Sequence, residues 1–180
     1  ITFEDFHKIV KLTKTGQVSL VIYDKEMAFT DVAIDGVGRI YACGYGMFGG
    51  GRTIKIYTAG GKEIRKIESA RNLFGRVANS NIHELKVSVK GEIFARTERY
   101  VLHYSPNGEY VDLWEGESDP RLYPDDSKNT IYMIVDDKVY SYAGKDTAKI
   151  GDLSGLGRIY SISSGKNGEL RGITEIRNGF

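Results

Sequence analysis

Apolar and polar residues alternate along most of this chain in short runs that are separated by small polar turns. Pairs of alternating runs flank a turn at four places: 9–12 with 18–22, 54–57 with 63–67, 101–104 with 110–114, and 139–142 with 148–150. Period-two alternation bounded by Gly, Asn and Pro is typical of half-buried antiparallel strands joined by tight turns. The pattern therefore predicts a series of β-hairpins.

A second pattern, an aliphatic residue that follows a polar turn, recurs along the chain. Its markers are Ile40, Ile93, Ile131 and Leu170, at steps of 53, 38 and 39 residues. Each marker predicts the second strand of an antiparallel meander, and the hairpin that follows each of the first three markers supplies the third and fourth strands. Repeats of about 40 residues with four strands each are typical of β-propeller blades.

The chain begins and ends within a repeat. The hairpin at 9–22 has no first and second strands before it, and residues 157–176 supply those two strands with no hairpin after them. Pairing the two halves would remove the exposed edges of an open stack of sheets. We therefore predict an all-β propeller of four four-stranded antiparallel blades, closed by pairing the N- and C-terminal strands. The alternative is a fragment of a larger propeller.

In this interpretation residues 1–180 form a single domain. Its blades are predicted at about 27–69, 70–117, 118–156, and a shared blade of 157–180 with 1–26. The segments 31–41 and 104–109 resemble the repeats and hairpin turns of NHL-type and YncE-like propellers, which are typically six-bladed. The resemblance covers nearly the whole chain. It implies a fold and leaves function open, because such repeats occur in binding scaffolds, lyases, lactonases and protein-interaction modules.

Composition excludes several classes of function. Twenty-five basic and twenty-four acidic residues give a net charge of +1, so no global field favours nucleic acid or an anionic membrane. No apolar run approaches the ~18 residues of a membrane span, and we expect a soluble protein. The single cysteine, Cys43, excludes an intrachain disulfide and a cysteine-based zinc cluster. Because the chain begins at Ile1, we expect a processed or excised product, and secretion, compartment and oligomeric state stay open.

The resemblance also implies a charged channel rim, because the start of each first strand lies at the central channel of a propeller. The residues at these positions are Thr30, Asp31, His83, Glu84, Pro120, Arg121, Gly157 and Arg158. Arginine forks bind carboxylates or phosphates, and a histidine with two carboxylates could hold a metal ion. A solvated rim of partly paired charges is the alternative. With three histidines, two of them away from the rim, we predict neither a catalytic zinc site nor a cofactor.

The glycine-rich segment 44–52 is the other candidate site. It lacks the Lys-Ser/Thr ending of a phosphate-binding loop and is expected to enter a strand, so we predict no nucleotide site. We predict instead a long loop between the second and third strands of a blade, with glycines at positive φ. Tyr45 and Phe48 would then serve recognition. The alternative is that they cover the end of the blade.

Together these features predict a non-catalytic binding module that presents its rim and loops to a protein or a glycan. The predicted binding residues are Asp31, His83, Glu84, Arg121, Arg158, Tyr45 and Phe48. The alternative is a propeller hydrolase or lyase that acts at the channel mouth on an anionic small molecule. In that alternative His83 and Glu84 would be acid/base groups or metal ligands, and the arginines would bind the substrate.

Overall fold

The computed structural model describes residues 6–46, 52–68, 82–116, 120–125, 130–143, 146–154, 159–164 and 170–174. All regular structure in these ranges is β, in three four-stranded and two two-stranded antiparallel sheets. In the part of the chain so described, no helix is long and apolar enough to cross a membrane. The chain divides into two compact units, residues 1–85 and 86–180.

The first unit contains a hairpin and a four-stranded sheet. The hairpin consists of β1 (Lys8–Leu12) and β2 (Val18–Tyr23). The sheet consists of β3 (Met27–Ile34), β4 (Ile40–Gly46), β5 (Arg52–Tyr57) and β6 (Glu63–Glu68), in chain order. Within the hairpin and within the sheet, strands that follow one another in the chain pair, which is the arrangement that the hairpin pattern predicts.

The remaining strands repeat this arrangement, beginning with β7 at the boundary of the two units. One four-stranded sheet consists of β7 (Glu84–Val87), β8 (Ile93–Arg96), β9 (Tyr100–Tyr104) and β10 (Tyr110–Glu115). The next consists of β11 (Arg121–Asp125), β12 (Thr130–Val135), β13 (Lys138–Ala143) and β14 (Asp146–Asp152). A last hairpin consists of β15 (Ile159–Ser164) and β16 (Leu170–Thr174).

Five turns between strands share one geometry. Their first residues are Thr13, Asp35, Thr58, Ser88 and Ser105. In each turn the side-chain oxygen of the first residue accepts a hydrogen bond from the backbone N–H of the fifth. The fourth residue is glycine with φ between 73° and 89°. Because this left-handed region favours glycine, Ser/Thr/Asp-x-x-Gly is a local sequence signal for the turn.

Each unit has its own apolar core. In the first unit Met27, Phe29, Ile40, Ala42 and Tyr57 of the four-stranded sheet are buried with Ile22 of β2, and Ile9 and Leu20 pack against them. In the second unit a cluster joins strands of both sheets through Phe94, Val101, Leu122, Ile131, Met133, Val135 and Tyr142. Apolar residues at alternate positions thus face a neighbouring element, as in half-buried strands.

The prediction of four-stranded antiparallel blades is confirmed, and the predicted closure is wrong. Among the described strands, β1–β2 and β15–β16 are separate two-stranded sheets, and the sheets are not closed. The observed pairings all join strands that are neighbours in sequence, so that short turns set their registers. Pairing of the two termini has no such connection and carries a larger loop-closure cost.

Candidate functional site

A bulge in β3 and a glycine in β4 fit each other at one end of the first four-stranded sheet. Between Phe29 and Asp31 the register of β3 shifts, which leaves Thr30 as an extra residue. A Cβ atom added to Gly44 on the partner strand would lie 2.0 Å from the backbone oxygen of Ala28. The glycine is thus required by close backbone approach, and not by the positive φ that the sequence led us to expect for this segment.

Asp31 ties β3 to the start of β7. One of its carboxylate oxygens accepts a hydrogen bond from the backbone N–H of Leu85 at 2.8 Å. The other accepts from the N–H of Val32, also at 2.8 Å. This places Asp31 beside the segment that carries His83, which is exposed, and Glu84, which is half-buried. Three of the predicted rim residues therefore lie in one region, and Asp31 has a structural role there.

Tyr45 lies next to Gly44 on β4, opposite the start of β3. It pairs with Ala28 of β3 and Arg52 of β5, and 45% of its surface is exposed. Because pairing continues through Gly46, the prediction of a loop is wrong for residues 44–46. Phe48 lies outside the described residues.

The structure describes one of the two predicted rim arginines. Arg121 is the first residue of β11, opposite Ile134 of β12, and it is exposed. Arg158 lies outside the described residues. Their proposed joint grip on an anion therefore stays a prediction.

A charged cluster that the sequence reasoning missed lies on the first four-stranded sheet. The ammonium group of Lys55 bonds the carboxylate of Asp24 and lies 3.0 Å from that of Glu63. Burial alone would lower the pKa of Lys55, but the two carboxylates hold it above its ordinary value. The hydroxyl of Tyr57 is buried with no hydrogen-bond partner among the described residues. Its pKa is raised, chiefly by burial and also by the nearby carboxylates. The cluster fastens β5 to β6 and to the turn before β3.

A second group is built on the turn after β3. Asp35 accepts hydrogen bonds from Nε of Arg39 at 2.6 Å and from the hydroxyl of Tyr41 at 3.0 Å. Burial alone would raise the pKa of Asp35, but these donors and two backbone N–H groups lower it. Asp125 and Tyr132 form the corresponding bond, at 2.9 Å, in the third four-stranded sheet. The recurrence identifies the group as part of the blade structure.

The most extensive polar network surrounds His103 on β9. Nε2 of His103 lies 2.8 Å from Glu92, and Nδ1 lies 3.1 Å from Asp112. The hydroxyl of Tyr142, on β13 of the next sheet, donates to the same Asp112 oxygen. The ring of Phe94 stacks on the imidazole with centroids 4.7 Å apart and an angle of 7° between the planes. The network joins two sheets of the second unit.

His103 is one of the two histidines that the sequence analysis placed away from the rim, and no partners were predicted for it. The predicted hairpin of 101–104 with 110–114 contained the necessary signal, because its register puts Asp112 opposite His103. The contact with Tyr142 depends on packing between sheets and has no local signal. Across the ranges that the structure describes, no group of three or more His, Cys, Asp or Glu residues is placed to hold a metal ion.

Comparison with known proteins supports the fold. The sequence matches no protein-family model and no curated protein sequence. Among solved structures, the WD40 domain of Neurospora crassa Pan2 is 14% identical with a TM-score of 0.57, covering 82% of this chain and 46% of that one. Kuenenia stuttgartiensis hydrazine synthase is 11% identical with a TM-score of 0.60, covering 95% and 51%.

A third similar structure is that of BBS1N in complex with ARL6DN, at 13% identity and a TM-score of 0.60, covering 95% of this chain and 52% of that one. The chain thus spans about half the length of these structures. At such low identity the likeness concerns the fold alone. The chain has an all-β fold of the propeller type, built of four-stranded antiparallel blades.

Proposed function

We propose that this chain is a non-catalytic protein-binding module whose blades are of the NHL and YncE-like type. The observation that carries the proposal is Tyr45, an exposed aromatic side chain at the end of a four-stranded sheet. Aromatic residues dominate the energetics of many protein interfaces, and a side chain on a strand loses little conformational freedom on binding.

The neighbouring polar groups fit a surface for binding better than one for catalysis. Both carboxylate oxygens of Asp31 accept backbone hydrogen bonds, which makes this residue a structural tie. His83 is exposed in the segment beside Asp31, and we propose that it belongs to a polar rim around Tyr45. We extend the proposed surface to Glu84, and Phe48, Arg121 and Arg158 stay predicted binding residues.

A protein is favoured over a glycan as the partner. One of the similar solved structures, BBS1N, is a complex with a second protein. The hydrolase or lyase alternative, with His83 and Glu84 as acid/base groups, has no specific observation in its favour.

The test compares Tyr45→Ser with Tyr23→Ser, a control at a second exposed tyrosine on β2. Partners are first captured by crosslinking to the wild-type chain, identified by mass spectrometry, and produced separately for affinity measurement. We expect Tyr45→Ser to weaken binding of a protein partner at least about tenfold, a change of about 1.4 kcal/mol, and Tyr23→Ser to leave it unchanged.

Three outcomes would contradict the proposal. One is equal affinity of the wild-type chain and Tyr45→Ser for every captured protein. Another is binding to a glycan array, with loss on Tyr45→Ser, in the absence of any protein partner. The third is turnover of an anionic ester or lactone that His83→Ala abolishes in a folded chain, which would favour the hydrolase alternative.

A further inference from the structure

The turn between β9 and β10 contains Asn107, the one asparagine in the ranges that the structure describes. Asn107 is exposed, and Gly108 follows it with φ 73°. Of the five turns that share the Ser/Thr/Asp-x-x-Gly geometry, this is the one with asparagine before the glycine. The hairpin thus presents an exposed Asn-Gly pair at its tip.

An Asn-Gly pair can react with itself in water. Hydroxide removes the backbone N–H proton of the glycine, and the nitrogen then bonds to Cγ of the asparagine. The side-chain amino group takes a proton from water and leaves as ammonia, so that a succinimide ring remains. Water opens this ring at either carbonyl, which gives aspartate or isoaspartate. Glycine permits the attack because it has no Cβ to crowd the ring, and asparagine is among the thermolabile residues.

The hydrogen bonds of the folded turn oppose this reaction. The attacking nitrogen of Gly108 donates its hydrogen to the carbonyl oxygen of Ser105 at 2.8 Å. The backbone N–H of Glu109 donates to the hydroxyl of Ser105 at 3.2 Å, and the N–H of Ser105 donates to the carbonyl oxygen of Glu109 at 2.8 Å. The attack therefore requires the turn to open. Opening of a hairpin tip is a local event that does not require the whole sheet to unfold.

We propose that Asn107 is a modification site, at which the folded chain converts to aspartate and isoaspartate at a rate set by opening of the turn 105–109. Water is the co-reactant, and ammonia is the product that leaves. Each conversion replaces a neutral amide by a carboxylate at the tip of the hairpin, two residues before Glu109. A covalent change of this kind alters both local charge and local geometry.

The isoaspartate product has consequences beyond the turn. In isoaspartate the backbone runs through the former side chain, which adds one carbon between residues 107 and 108. The five-residue turn then loses the spacing that its hydrogen bonds require. Tyr104 pairs with Tyr110 directly beyond the turn, and His103 pairs with Asp112 at the next position. Because the turn sets this register, the modification should weaken the network around His103.

The first test follows the wild-type chain at pH 8, folded in buffer and unfolded in guanidinium chloride. Peptide mass spectrometry measures the conversion at Asn107, and labelling by an isoaspartyl methyltransferase measures the isoaspartate fraction. We expect conversion in the folded chain that is at least about tenfold slower than in the unfolded chain, because the turn is mostly closed. No conversion in the folded chain, or equal rates in the two states, would overturn the proposal.

The second test changes the turn and leaves Asn107 in place. Ser105→Ala removes the hydroxyl that accepts from Glu109, and it should raise the rate at Asn107 at least about twofold. The matched control is Thr58→Ala, which removes the same bond, to the N–H of Lys62, in a turn of the first unit. The control should leave the rate at Asn107 unchanged. Equal rates in wild type and a folded Ser105→Ala would overturn the role of the turn.

The third test measures the effect on stability. The isoaspartate form, separated by ion exchange, should unfold at a lower urea concentration than Asn107→Asp, which has the same added charge on an unchanged backbone. Equal midpoints would overturn the predicted effect on β9 and β10. None of these results bears on Tyr45 and the proposed protein partner.

Discussion

Replacement of His103 by phenylalanine is expected to destabilise the second unit strongly. Phenylalanine keeps an aromatic ring beside Phe94 but removes both nitrogen atoms that face carboxylates. Glu92 then loses the ring nitrogen that faces it, and Asp112 loses one of its contacts but keeps the hydroxyl of Tyr142 as a donor.

The size of the effect follows from the burial of these groups. Removing one partner of a buried hydrogen bond leaves the other group unsatisfied, which costs about 1–3 kcal/mol and more where that group is charged. The Glu92 side chain keeps 23% of its exposure, which allows some solvation of the carboxylate, so we expect about 3 kcal/mol. At about 2–4 °C per kcal/mol for a chain of this size, the melting temperature should fall by about 6–12 °C.

The assay is urea unfolding followed by circular dichroism, with His83→Phe as the matched control at an exposed histidine. The control should change the free energy of unfolding by less than about 0.5 kcal/mol. Adding Glu92→Gln and Asp112→Asn to His103→Phe should recover part of the loss, because it removes the charges that lost a contact. A cost for His103→Phe within about 0.5 kcal/mol of the control would refute the reasoning.

Other parts of the molecule give further predictions. Gly61→Ala should lower the free energy of unfolding by about 1–2 kcal/mol, because Gly61 has φ +83°. Gly60→Ala should be nearly neutral in the same urea assay, since no atom lies closer than 3.8 Å to the added Cβ. Equal effects would contradict the assigned turn geometry. Burial raises the pKa of the Cys43 thiol to about 11, so a thiol reagent at pH 8 should modify it only on unfolding, and rapid reaction of the folded chain would argue against its burial. Because the pKa of Asp35 is lowered in the folded state, its carboxylate should stabilise the fold above the ordinary carboxyl pKa, and this stabilisation should be lost as the pH falls through the lowered pKa. The urea midpoints at pH 7 and pH 3 should therefore differ more for the wild type than for Asp35→Asn. An equal difference would count against the effect.

Much of the local structure could be predicted from the sequence. Alternation over 54–57 and 63–67 predicted β5 and β6, and the same reasoning predicted the hairpin of β9 and β10. Glycines in the turns predicted where one strand ends and the next begins. These signals are local, because a period of two and a positive φ are properties of a few consecutive residues.

The candidate site was predicted less completely. Neither Arg158 nor Phe48 is among the described residues, so their predicted roles stay open. Tyr45 was expected on a loop and lies on a strand, because a bulge at Thr30 and the small Gly44 let pairing continue to the end of β4. Such a fit between two backbones has no periodic signal.

The sequence by itself determined which segments become strands and where the chain turns, since alternation and glycine-containing turns act over a few residues. Only the tertiary structure decided which polar groups meet, as with Asp31 at the backbone of Leu85 and Tyr142 at Asp112. It also decided that β1–β2 and β15–β16 form two separate two-stranded sheets among the described strands. The physical reason is that such contacts depend on register and packing between segments distant in sequence, where chain entropy opposes each contact and no local pattern encodes it.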